Sequence, residues 1–200
     1  MHAARTAVAV VHDGGVSEVQ AGMLIVATPA LRDPNFAATV VLILDVDDSG
    51  ALGVVLNRPS GLPVAEVLEP WRDVVAEPGV LFQGGPVGAE GALAVALLHA
   101  AAQVPVGFRE VTGQLGLVDL DTPVELLQGS LAELRIFAGY AGWGVAQLDD
   151  EIDEGSWYVV PAHADDIFRE DSTDLWRDVL RRQPGELAWL STRPGDPGLN

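Results

Sequence analysis

The chain contains no cysteine and no lysine. The first absence excludes disulfides, thiolate metal sites, iron–sulfur clusters and thiol nucleophiles. The second excludes Schiff-base chemistry, a lysine general base and a P-loop. All eleven basic residues are arginine, and they face 29 acids, for a net charge of −18. Nucleic-acid binding rests on neutralising phosphates with a basic footprint, so no direct binding of DNA or RNA is expected. An anionic membrane is disfavoured for the same reason, and the field suits cationic partners or metal ions better. Long apolar runs are also lacking. Gly91–Leu98 is followed by His99, Gln103 and Pro105, far short of the about 20 residues a spanning helix needs. Met1–Val11 runs into His12-Asp13-Gly14-Gly15 without the apolar core of a signal peptide. The expected location is the cytoplasm. G-x-S-x-G, H-E-x-x-H, Walker A and EF-hand patterns are absent too.

What is present is a chain of 200 residues, 48% of them hydrophobic. That composition excludes a disordered acidic chain and suits one domain with its own core. Residues 1–20 read as a flexible lead and residues 21–200 as the domain. Gly22–Thr28 is a short apolar run closed by Pro29, hence a strand. Thr39–Asp45 and Ala51–Asn57 flank an Asp/Ser/Gly turn and read as a hairpin. Both runs are almost continuously apolar, so both faces of the sheet are expected to be covered. Further strands are expected at Val80–Gln83, Ala92–His99, Phe108–Val111, Leu115–Val118, Leu134–Tyr140 and Ser156–Val160.

Helical spacing marks Val64–Val75, interrupted by Pro70, and also Pro123–Gln128, Gly144–Asp153, Ala164–Phe168 and Asp174–Arg182. Asn57–Gly61 reads as a break in the sheet. Hairpins mix with helices without a regular βαβ period, so the expected class is α+β.

Three loop motifs are candidate binding elements, each with a plainer role beside it. Gly139-Tyr140-Ala141-Gly142-Trp143-Gly144 is read as following a strand and opening a helix. There its amides either bind an anion or allow tight packing. Gly84-Gly85-Pro86 is either a ligand loop or a rigid turn, with one amide donor removed by proline. In Asn57-Arg58-Pro59 the arginine either forks onto a ligand anion or pairs with an internal acid, while Asn57 satisfies nearby backbone. His99 ends an apolar strand, as a base or ligand or as a structural residue. The acidic run Asp149-Asp150-Glu151, with Asp153 and Glu154, is a cation site or a solvated helix face, with Gln147 and Glu151 one turn apart. Trp143 and Trp157 read as packing anchors.

Together these pieces resemble the AlgH (YqgE) family of bacterial proteins. The resemblance is carried by Ala27–Phe36 (ATPALRDPNF) and the hairpin Gly50–Pro59 ending in Asn-Arg-Pro. Gly84-Gly85-Pro86-Val87, Leu98-His99 and Gly139–Trp143 continue it, with Gln147-Leu148, Glu151-Ile152 and the tail Asp196–Asn200 after them. It spans residues 21–200. Two positions depart from the family pattern. Many members carry a histidine where this chain reads Asp45-Val46-Asp47, and Ala146-Gln147-Leu148-Asp149 replaces Gly-Gln-Leu-Glu. The resemblance implies a mixed, partly barrel-like sheet surrounded by helices. It supplies no activity, and the name's link to alginate regulation brings only the label of a transcriptional regulator. No basic recognition helix supports direct DNA reading.

The expected function is a non-enzymatic regulatory or interaction protein acting through a protein partner or small ligand, with no cofactor and no metal. Two alternatives stay open. One is a small-molecule enzyme, such as a hydrolase, with a pocket near Arg58 and His99. The other is a transcriptional regulator that does not touch DNA. Strand ends in one sheet can gather at a rim. The candidate pocket therefore comprises Asn57, Arg58, Gly84, Gly85, Pro86, His99, Tyr140, Trp143 and Gln147.

Overall fold

The computed structural model describes residues 18–100 and 102–191. Most of the 1–20 lead and the Ser191–Asn200 tail lie outside them, but Val19 is already 7% exposed in an apolar cluster. By packing, the folded unit therefore includes at least one residue before position 21.

Among the described residues ten strands form one curled, mixed sheet. In chain order they are β1 (Met23–Ala27), β2 (Val40–Asp47), β3 (Gly50–Val55), β4 (Pro59–Pro63), β5 (Val80–Gln83), β6 (Val87–Leu98), β7 (Phe108–Thr112), β8 (Leu115–Val118), β9 (Leu131–Gly144) and β10 (Trp157–Pro161). The order across the sheet is β10-β1-β2-β3-β9-β6-β8-β7, with β4 paired to β5 and β5 to β9. All pairings are antiparallel except β5 with β9, where Phe82 faces Phe137. The curl brings β7 back toward the start of β1. A Cβ on Gly22 would stand 2.3 Å from the Thr112 methyl, and Arg109 reaches Asp45 at 3.1 Å. The result is the α+β class expected from the mix of hairpins and helices, with the partly barrel-like sheet that the family resemblance implies.

The described residues also form five short helices: α1 (Val64–Val67), α2 (Gln147–Asp153), α3 (Ala164–Phe168), α4 (Leu175–Arg181) and α5 (Glu186–Leu190). Alternation along the strands sorts the side chains into separate cores. Leu24, Val26, Val40, Leu42 and Leu44 face inward, against Ile167, Phe168, Leu175, Val179, Leu180 and Leu187 of the C-terminal helices. Ile25, Ala27, Val41 and Ile43 face outward, against Leu148, Trp143 and Trp157. That two-sided cover explains why the hairpin strands carry almost no polar residue.

Four local expectations change. The sheet does not stop at Asn57–Gly61, because Pro59–Pro63 pairs with β5 across an irregular register. The helix expected over Val64–Val75 is one turn, α1, then a 3-10 turn at Glu69–Trp71 that starts around Pro70. Pro123–Gln128 likewise holds only a 3-10 turn, Val124–Leu126. Gly139–Gly144 does not open a helix: it is the last part of the fourteen-residue β9, and α2 starts only at Gln147.

Candidate functional site

Two of the three glycine- or proline-bearing loops meet at the middle of β9, and the third abuts them. The first part of β9 pairs with β6 and its last part with β3, so the strand must bend where its partners change. Gly139 lies at that bend with φ +68, where a side chain is strained. The end of β5 closes against the same place. The Gly84 amide donates to the Ala138 carbonyl at 2.9 Å, and the Val55 amide donates to the Gly84 carbonyl at 2.8 Å. A Cβ on Gly85 would lie 2.2 Å from the Tyr140 carbonyl carbon. These glycines let two backbones touch, and Pro86 comes next, on the surface.

Asn57 and Arg58 join this crossing through the main chain: the Gln83 amide donates to the Arg58 carbonyl at 2.8 Å. Their side chains hold the preceding loop. Asn57 accepts from the Val40 amide at 3.0 Å and donates to the Ala38 carbonyl at 2.9 Å. The Arg58 guanidinium donates to the Pro34 carbonyl at 2.9 Å. It thus binds a carbonyl of the Ala27–Phe36 motif rather than an internal acid.

Trp143 and Gln147 belong to a second arrangement, organised by a residue outside the candidate pocket, Glu151. Its Oε2 accepts the indole N–H of Trp143 at 3.0 Å and of Trp157 at 2.8 Å. Its Oε1 accepts from the Gln147 amide at 2.9 Å. Gln147 in turn accepts the Gly144 amide at 3.0 Å. Phe36 stacks on both tryptophans, at 5.8 and 5.6 Å between centroids. One carboxylate therefore ties β9, α2 and β10 together under an aromatic trio. The i, i+4 spacing of Gln147 and Glu151 was the visible sequence clue; the two indole donors were not.

His99 stands apart. Its amide donates to the Ser130 carbonyl, beside the Leu98–Leu131 pair of the ladder. Arg58 sits by Gln83, which pairs with Ala138. Seven strand positions separate Leu131 from Ala138, about 23 Å at the strand rise. The ladder therefore does not bring Arg58 and His99 together.

Two concave surfaces lie at the tip of the β2–β3 hairpin. A groove of about 270 Å³ is lined by Asp45, Asp47, Ser49, Leu52, Arg109 and Trp143. Beside it is a hollow of about 90 Å³, bordered by Glu18, Val46, Asp47 and Asp149. Of the candidate residues, only Trp143 reaches either one. The Ser49 hydroxyl and then its amide donate to Asp47 and hold its carboxyl below the usual value. Asp47 therefore stays ionised throughout the neutral range. Among the described residues no group of three His, Asp or Glu side chains is placed to hold a metal ion. No described helix is long and apolar enough to cross a membrane.

Known proteins share this sequence and geometry. A UPF0301 protein of Streptomyces avermitilis is 55% identical over 191 residues, covering 93% of this chain and 99% of that protein. A UPF0301 protein of Streptomyces coelicolor is 54% identical with the same 93% and 99% cover. The crystal structure of protein DIP2367 from Corynebacterium diphtheriae matches with a TM-score of 0.87 and 31% identity, over 96% of this chain and 100% of that one. The solution structure of the AlgH protein from Pseudomonas aeruginosa matches with a TM-score of 0.62 and 28% identity, over 88% and 94%. The AlgH-like family model matches residues 24–188, most of the described fold, and the chain belongs to that family.

Proposed function

We propose that this protein is a non-enzymatic interaction protein whose groove at the β2–β3 tip receives a basic segment of a protein partner. The observation that carries the reading is the make-up of that groove. Asp45, Asp47 and Ser49 line it, Trp143 and Leu52 add apolar surface, and its one cation, Arg109, already pairs with Asp45 at 3.1 Å. Glu18 and Asp149 extend the negative charge into the adjoining hollow. A net charge of −18 adds long-range attraction for a cationic partner and speeds its encounter. Asn57, Arg58 and Gln147 each make side-chain hydrogen bonds within the protein itself. Any regulatory role would then pass through a bound protein rather than through DNA.

The absence of lysine gives a clean test. Carbodiimide coupling joins carboxylates to amines, and apart from its N-terminus this chain offers no amine. Coupling in native lysate at about 150 mM salt, where the Debye length is about 8 Å, should link Asp45, Asp47 or Asp149 to lysines of one partner. The Asp47→Asn/Asp149→Asn variant keeps the turn-forming side chain at position 47 and should lose most of that adduct. Adducts spread evenly over the acids, or unchanged in the variant, would overturn the reading.

A further inference from the structure

Arg135 is the largest fully buried side chain among the described residues, at 1% exposure, and its guanidinium hydrogen-bonds main-chain carbonyls, with Glu133 acting on it only at longer range. It lies in the first half of β9 and reaches out of the sheet to main-chain carbonyls. Nη1 donates to Ile167 at 2.7 Å. Nη2 donates to Glu77 at 2.6 Å and to Arg169 at 2.8 Å, with Phe168 at 3.3 Å sharing it. The Phe82 ring lies beneath, 4.2 Å from the guanidinium carbon. Residues 167–169 are the end of α3 and its cap, where a helix leaves carbonyls without intrahelical partners and the dipole is negative. The cation therefore grips the segment by the last turn of α3.

The chain from α3 onward has few polar ties to the sheet. Every strand ends by Pro161, so residues 164–190 can leave the sheet without breaking a ladder hydrogen bond. Their ion pairs close within the segment: Arg169–Asp178 at 2.9 Å, Arg177–Asp174 at 3.2 Å, Arg181–Asp178 at 3.0 Å and Arg182–Asp166. All of them survive a departure from the sheet. Arg135, the Trp176 indole, which donates to the Ala27 carbonyl at 2.8 Å, and Arg182, which donates to the Pro161 carbonyl at the end of β10 at 3.0 Å, fasten the segment to the strands. Apolar packing by Ile167, Phe168, Leu175, Val179, Leu180 and Leu187 adds to that hold. These fill the inner face of the curled sheet, over Leu24, Val26, Leu42 and Leu44.

We propose that residues 164–190 form a plug that opens from the curled sheet as one unit, with Arg135 as its latch. Opening leaves the ten-stranded sheet paired and uncovers its apolar inner face. Such partial openings are the ordinary low-energy excursions of units that share few bonds with the rest of a fold.

Hydrogen exchange of the full chain, read by mass spectrometry, tests this. In the wild-type protein the amides of Leu175–Arg181 should exchange at least about tenfold faster than those of Val40–Leu44, through an opening that leaves the latter protected. Arg135→Met keeps an apolar contact with Phe82 but donates nothing. It should raise exchange in α3 and α4 by about tenfold or more and leave β2 and β3 unchanged. Equal wild-type rates in the plug and in β2 would overturn the proposal. So would a variant that raises exchange everywhere by the same factor. If Arg135→Met does not fold, the wild-type rates and Trp176→Phe decide, since loss of the indole bond should loosen the plug alone.

Discussion

Replacing Glu151 by glutamine changes one atom and removes one charge at the centre of three converging donors. The carboxylate accepts hydrogen bonds from two indoles at 3.0 and 2.8 Å and from Gln147 at 2.9 Å. In Glu151→Gln the remaining oxygen can still serve both indoles. The new amide nitrogen then faces the Gln147 amide nitrogen, donor against donor. Turning Gln147 over relieves that conflict only by giving up the Gly144 amide, which it accepts at 3.0 Å. Losing the charge on the two indole bonds costs about 1–2 kcal/mol and the Gln147 conflict about 1 kcal/mol, so the total is about 2–3 kcal/mol.

Glu151→Ala is worse. Trp143 and Trp157 are 5% and 3% exposed, and both indole N–H groups lose their acceptor, for about 4 kcal/mol. At about 2–4 °C per kcal/mol for a domain of this size, the midpoints fall by about 7 and 12 °C. Thermal unfolding monitored by circular dichroism reads both. Adding Gln147→Ala isolates the conflict, because Glu151→Gln should then cost about 1 kcal/mol less. A Glu151→Gln midpoint within about 1 °C of wild type, or an alanine variant no worse than the glutamine one, would refute the three-donor account.

Two further predictions concern the β5–β9 crossing and the hairpin tip. Gly85→Ala places a methyl 2.2 Å from the Tyr140 carbonyl carbon and should cost more than about 4 kcal/mol or prevent folding, whereas Gly129→Ala, with nothing within 4 Å, should be nearly neutral; urea unfolding of the two variants compares them, and similar midpoints would disprove the close approach. At the tip, Asp47 should titrate below 3.8 by NMR and move up toward that value in Ser49→Ala, because the hydroxyl is the leading cause of the shift. Folding lowers this carboxyl, so its contribution to stability is present above the unfolded value and disappears as the pH falls through the folded one. The stability gap between wild type and Ser49→Ala should therefore shrink below about pH 4.

Much of the fold is local and was legible for that reason. The β2–β3 hairpin carries its own turn and two apolar runs, and α4 carries its own periodicity. β4 was invisible because Pro59, Gly61 and Pro63 are poor strand formers, and only pairing with β5 makes them one. Glycines 139, 142 and 144 suggested a loop by composition. They lie in a strand because β3, β5 and β6 all pair with β9 and its middle must bend and admit Gly85.

The candidate site divides the same way. Its residue types were readable: Asn57 at a hairpin end holding backbone, and tryptophans beside glycine or serine packing as anchors. Their partners were not. Arg135 sits in an apolar run with nothing nearby in sequence to mark it, and its acceptors lie 32 to 58 residues away. Arg58 and His99 looked like members of one rim because both lie at the ends of expected strands, yet β6 carries His99 away along the ladder. Sequence determined the fold class, the strong local elements and the sign of the surface charge, since each depends on residue type and short-range periodicity. Which groups meet was decided by strand register and by the curl of the sheet, because register shared among three or four partners is a property of the whole ladder and not of any one segment.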